Sequence, residues 1–147
     1  MMLADREQGS RRLRGGALRR PPLPLPVLPT PRAGTTVYGL AAIDNSGRIA
    51  DRTVIRALGW GPGTRLHIRE ASGVIVVRLD RQGVFTVTGQ GHLHLPAAAR
   101  HWCGLTAGDR LLLAAIPADG LLVVHPPAAL DAMVVAVHAD LLGGGQA

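Results

Sequence analysis

Asp44-Asn45-Ser46-Gly47-Arg48, Ile49-Ala50-Asp51-Arg52-Thr53-Val54-Ile55-Arg56-Ala57-Leu58-Gly59 and Trp60-Gly61-Pro62-Gly63 follow one another without a break. A looser echo runs through Thr88-Gly89-Gln90-Gly91-His92-Leu93-His94-Leu95-Pro96-Ala97-Ala98-Ala99-Arg100-His101-Trp102-Cys103-Gly104 to Leu105-Thr106-Ala107-Gly108. Each stretch opens on a glycine-containing turn, passes through a short apolar piece, makes about two helical turns and stops at glycine. Each is then followed by strand, turn and strand, over residues 65–78 in the first copy and 110–125 in the second. The chain is therefore read as an internal repeat.

Asp44 and Asn45 can bond nearby backbone amides and Gly47 can take a positive φ, so residues 44–47 predict a turn. Gly91 has the same place in the echo. Asp51 is suited to cap a helix over 52–58, Gly59 to end it, and Val54, Ile55 and Leu58 form its apolar stripe. Arg52 and Arg56, four apart, share its other side. Pro96 is expected at the first position of the second helix, and Gly104 just past its end. Residues 64–70 alternate: Leu66 and Ile68 point one way, Arg65, His67 and Arg69 the other. Residues 111–116 are apolar throughout, so something must cover both faces of that strand. Residues 128–142 predict a helix with Leu130, Met133, Val134, Val137 and Leu141 on one side.

The 147 residues carry a net charge of +6 with pI near 11.4 and no lysine. That charge is uneven. Residues 1–33 hold seven arginines against Asp5 and Glu7, while the rest holds nine arginines against eight acids. A nucleic-acid function must rest on local arginines, not on the overall balance. The absence of lysine reads as coding bias. Residues 1–34 are expected to be a disordered basic tail rich in proline and arginine. Cys103 stands alone, so no disulfide framework is expected, and a reducing cytoplasm fits. No apolar run approaches the roughly 20 residues of a membrane helix. His92 and His94 share a strand face, but no carboxylate or cysteine follows at ligand spacing, so no metal site is assigned. No nucleophile–base set or carboxylate pair emerges, and neither an enzyme nor a cofactor is expected. Trp60 and Trp102 read as packing residues beside the two helix ends, and Cys103 as a small buried hydrophobe.

Each copy, at roughly 45 residues, is too small for a self-sufficient core without metal, disulfide or partner. The copies, residues 35–79 and 84–125, must bury their apolar faces on each other or on a second chain. A C-terminal helix and tail take up residues 126–147. The expected class is mainly β with short helices.

The pattern Asp-x-x-Gly-Arg, short strand, helix ending at glycine, Gly/Pro loop and two strands resembles the AbrB/SpoVT/MazE-type swapped-hairpin DNA-binding family. Tandem copies look like the MraZ arrangement. The second copy keeps Pro96, Gly104, Gly108 and Asp109 but has Thr88 for the aspartate and His92 for the arginine; the first has Asp51 in place of the proline. The resemblance implies a swapped-hairpin β-barrel built from two ββαββ-like repeats. Gly47, Gly59, Gly91 and Gly104 would be its structural turns. It implies contact with duplex DNA through Arg48, with Arg52 and Arg56 nearby, Asn45 at the turn and Asp44 orienting Arg48. A guanidinium suits either phosphate or the O6/N7 edge of guanine. The implied function is a cytoplasmic, homo-oligomeric transcription regulator. The alternative is an antitoxin or interaction module whose C-terminal segment binds a partner protein, with a toxin the partner expected; a scaffold without DNA contacts is a third possibility.

Overall fold

The alternating apolar runs become eight strands in the computed structural model, which describes residues 35–143. The strands are β1 (Val37–Ala42), β2 (Arg48–Ile49), β3 (Arg65–Ala71), β4 (Val74–Leu79), β5 (Phe85–Thr86), β6 (Leu93–His94), β7 (Arg110–Ile116) and β8 (Leu121–His125). Three α-helices accompany them among the described residues: α1 (Thr53–Ala57), α2 (Ala97–Trp102) and α3 (Pro127–His138). The expected mainly-β class with short helices is what these residues form. The expectations for the N-terminal tail and for residues 144–147 lie outside the described residues.

All the pairing is antiparallel. Six strands form a sheet in the order β1-β7-β8-β4-β3-β5, and β2 pairs with β6 in a separate ribbon. The order reads the same when the strands of residues 37–79 are exchanged for those of residues 85–125. Thus β1 lies on β7 while β5 lies on β3, β4 meets β8, and the hairpins β3–β4 and β7–β8 stay local. Whether the copies pair within one chain was not decided by the sequence; here they pair within it. The six-stranded sheet is open, ending on β1 and β5.

Local chemistry explains the element ends. Ser72 and Gly73, with φ of 52° and 84°, form a two-residue hairpin turn whose twist matches the flanking strands. At the end of α1 the Gly59 N–H bonds Arg56 O and the Trp60 N–H bonds Ile55 O. At the end of α2 Gly104 bonds His101 and Leu105 bonds Arg100 in the same way, which is the Schellman pattern twice. Gly59 and Gly104 take the positive φ it needs. Asp51 Oδ1 accepts the Val54 N–H at 3.1 Å, the capping expected of it. Gly39, which as glycine weakens β1, lets α1 approach: a Cβ there would stand 2.9 Å from Val54 Cγ2. Pro96 differs from expectation. Its ψ of 150° keeps it outside α2, which starts at Ala97.

One core is shared by both copies, with Ile43, Ile49, Val54, Leu66, Ile75 and Val77 packed among Leu93, Leu95, Leu111, Leu113, Leu122 and Val124. Trp60 belongs to it, whereas Trp102 is 72% exposed, against the expectation of a packing role. The difference is positional: Trp60 follows the glycine stop and folds back, while Trp102 is the last residue of α2, as Ala57 is of α1. Cys103 is half-buried at the core margin, and burial, then Glu70, pushes its thiol up.

The C-terminal segment also departs from expectation. Helix α3 stops at His138 and residues 139–143 form a wider π-type turn, so the helix does not reach 142. No α3 residue is buried, although Leu130, Met133, Val134 and Val137 line a cleft of about 310 Å³ with Leu112 of β7. Cover for β7 on that face is therefore partial. Leu141 stands apart, 72% exposed.

His125, opposite Leu112 on β8, is half-buried, and burial lowers its pKa from the ordinary 6.5. The unfolded chain then binds the proton more readily, so this contribution to stability is lost as pH falls below 6.5. The melting temperature is expected to fall between about pH 7 and pH 5. It should fall less in His125→Gln, and parallel curves for the two proteins would contradict the assignment.

Candidate nucleic-acid interface

The turn at residues 44–48 is built around one carboxylate. Asp44 Oδ1 accepts the Ser46 N–H at 2.9 Å, the Arg48 N–H at 2.8 Å and the Ser46 hydroxyl at 2.8 Å. Its Oδ2 takes the Arg48 Nε–H at 3.1 Å, the one ion pair among the described residues. The Arg48 amide, then the Ser46 hydroxyl, hold the Asp44 carboxyl far below the usual carboxylate range. Depressed in this way, the carboxylate stays ionised through any physiological pH, and its support is lost only in strong acid. The resemblance gave Asp44 an orienting role, and in the structure its carboxylate holds the Arg48 Nε–H. Arg48 is half exposed, and among the described residues no second ion pair claims its remaining guanidinium nitrogens.

The second turn reproduces the first with different chemistry. The Thr88 N–H bonds His92 O as the Asp44 N–H bonds Arg48 O, and Thr88 Oγ1 accepts the His92 N–H at 3.0 Å. A hydroxyl thus replaces the carboxylate as turn acceptor, but it offers nothing to a cation at the following position.

The β2–β6 ribbon brings the turns together, pairing Arg48 with His94 and Ile49 with Leu93. His94 Nε2 lies 2.6 Å from Ser46 O; a carbonyl only accepts, so the ring nitrogen carries the proton. Arg52 donates from Nε to His92 Nε2 at 3.4 Å, while His92 Nδ1 is buried and has no partner among the described residues. Arg100 reaches over from α2, its Nε bonding Leu95 O at 3.1 Å.

Of the predicted residues, the structure unites Asp44, Arg48 and, through His92, Arg52. Asn45 is exposed at the turn tip, and Arg56 is exposed on α1. Its amide bonds the Arg52 carbonyl along the helix, but among the described residues no side-chain hydrogen bond or ion pair ties Arg56 to the cluster. Sequence reasoning missed Arg100 and the His94–Ser46 link. The signal for His94 was its place two residues after the second turn. Nothing in the local pattern marked Arg100.

Gly47 is required here for two reasons. Its φ is +93°, and a Cβ would stand 2.7 Å from Arg100 Nε and 2.8 Å from the Leu95 carbonyl oxygen. Arginine can swing away but the backbone carbonyl cannot, and the Leu95 N–H bonds Gly47 O at 2.8 Å. Gly47→Ala is expected to lower stability by about 1–3 kcal/mol, the usual cost of a strained backbone position. Gly59→Ala, where φ is also positive but nothing lies within 4 Å, is expected to cost less. Denaturant melts of the two variants compare them directly.

Comparison with protein-family models, curated proteins and solved structures finds no match to this chain.

Proposed function

We propose that this chain is a sequence-specific duplex-DNA-binding transcription regulator, acting in the cytoplasm without catalysis, with its two repeats interleaved as a swapped-hairpin barrel. The reciprocal strand order supports the interleaving. The observation that carries the DNA reading is the Asp44–Arg48 turn. An exposed guanidinium is fixed at one nitrogen by a carboxylate and left with donors to spare, on the ribbon where both halves meet. Fixing the side chain beforehand lowers the entropy lost on contact. Arg52 lies beside the second turn and adds charge, as Asn45 adds a neutral hydrogen-bonding tip. Arg56 contributes at most a phosphate contact.

The test is a fluorescence-anisotropy titration of the full chain against the DNA upstream of its own gene, at two salt concentrations. Affinity should fall steeply with salt, and at each salt concentration it should be weaker for random DNA of equal length. Equal binding to both sequences would remove sequence specificity from the reading.

A second reading rests on a different observation. Helix α3 leaves Val135 64% and Val137 56% exposed, and an all-round apolar helix is normally covered. It would bind a partner protein, as an antitoxin binds a toxin, or a second copy of the chain as a homo-oligomer. Size measurement before and after Val137→Asp separates the two: a shift to a smaller species identifies the second copy.

A further inference from the structure

The two halves differ at one edge of the sheet. In the first half β1 runs alongside β7 for six residues, Val37 opposite Ala115 through Ala42 opposite Arg110. In the second half β5 lies opposite only Arg65 and Leu66. The cause is the short join from β4. The Gly83 N–H bonds Asp80 O, turning the chain back at once, and Gly83 then sits so close on the Leu66 backbone that no Cβ would fit.

Among the described residues, no strand lies along the outer edge of β3 beyond Leu66. The Arg65 carbonyl accepts the Asp80 N–H on the β4 side. By the alternation of an antiparallel ladder, the backbone groups of Ile68 and Glu70 therefore face away from β4, toward that outer edge. Below that edge is a groove of about 330 Å³ lined by Ile68, Phe85, Pro96, Ala99 and the exposed Trp102. In the other half this place is filled by Val37-Tyr38-Gly39-Leu40. Unpaired strand edges are sites of strand addition, and one beside an apolar groove offers both backbone bonds and side-chain pockets.

The charges select the occupant. Arg65, His67 and Arg69 are exposed on the outward face of β3, with Arg78 beside His67 on β4. Glu70 is engaged, its Oε2 accepting the Gly73 N–H at 2.9 Å. By the register of the filled half, an added strand would place outward residues opposite His67 and Arg69, and inward residues opposite Ile68 and Glu70. Opposite charges directly across a ladder stabilise it, and like charges oppose it. We propose that the β3 edge docks an extended segment of a partner protein that alternates apolar residues facing Trp102 and Phe85 with acidic residues facing Arg69. This docking is independent of the DNA reading.

The probe is a capped, fluorophore-labelled octapeptide alternating valine and glutamate, with the valine–lysine peptide as control, titrated into the full chain. The glutamate peptide is expected to bind at least about tenfold more tightly, a difference within reach of a few cross-strand charge pairs. Arg69→Glu, a change at an exposed position that should not disturb folding, is expected to reverse that preference. Trp102→Ala should weaken both peptides. Hydrogen exchange should slow at the Ile68 and Glu70 amides when the glutamate peptide is present. Equal binding of the two peptides, or no protection at those amides, overturns the proposal. So does a dimer of the chain that Arg69→Glu dissociates, because a second copy would then be the occupant.

Discussion

Replacing Arg48 by alanine is expected to weaken binding to the cognate duplex by about 1–3 kcal/mol, the discrimination a bidentate arginine–base contact supplies. The same substitution should leave the melting temperature nearly unchanged, because the Arg48–Asp44 pair is exposed on both sides and such pairs contribute little to folding. Asp44→Asn separates orientation from charge. An amide oxygen can still accept the Ser46 and Arg48 amides, but it no longer pairs with the guanidinium, so Arg48 loses its fixed direction. Affinity for the cognate site should fall while affinity for random DNA holds or rises, since a negative charge beside the phosphates has been removed. Anisotropy with both sequences reads all of this. If Arg48→Ala lowers cognate and random binding by the same factor and flattens the salt dependence by about one unit, Arg48 contacts phosphate and does not read a base.

Much of the first turn was legible because its chemistry is local. Asp44, Gly47 and Arg48 lie within five residues, and the bonds among them span at most four positions in the chain. The glycine stops at Gly59 and Gly104 were legible for the same reason. Residue identity misled where a different group does the same work: Thr88 in place of Asp44 looked like decay of the second copy, yet its hydroxyl closes the same turn. Long-range placement was not legible. Arg100 meets Gly47 only because the β2–β6 ribbon brings the second copy's helix over the first copy's turn. The truncation of β5 depends on how little chain separates Leu79 from Phe85, a count that matters only once β3 is known to lie alongside. Trp102 was misjudged because an aromatic residue near a helix end says nothing about which side of the glycine stop it occupies.

The largest effect on stability is expected where the halves meet. Ile49 and Leu93 stand opposite each other in the β2–β6 ribbon, each only 1% exposed. Truncating either to alanine removes buried methyl groups from a core drawn from both copies, and should cost about 2–5 kcal/mol. The double variant should cost less than the sum, because residues in contact share one cavity and relax together. Interleaving adds a sharper requirement. With β1 held by β7 and β5 by β3, each copy keeps only its local hairpin, β3–β4 or β7–β8, if the other unfolds. Trp60 lies in the first copy and is buried, so in a Trp102→Phe background its fluorescence reports that copy alone. Leu93→Ala, a change in the second copy, should move the denaturant midpoint seen by Trp60 as far as the midpoint seen by circular dichroism. A Trp60 transition that stays in place while the dichroism signal shifts would mean that the copies unfold separately. The reciprocal ladders would then be contacts between two independent units, not the framework of one.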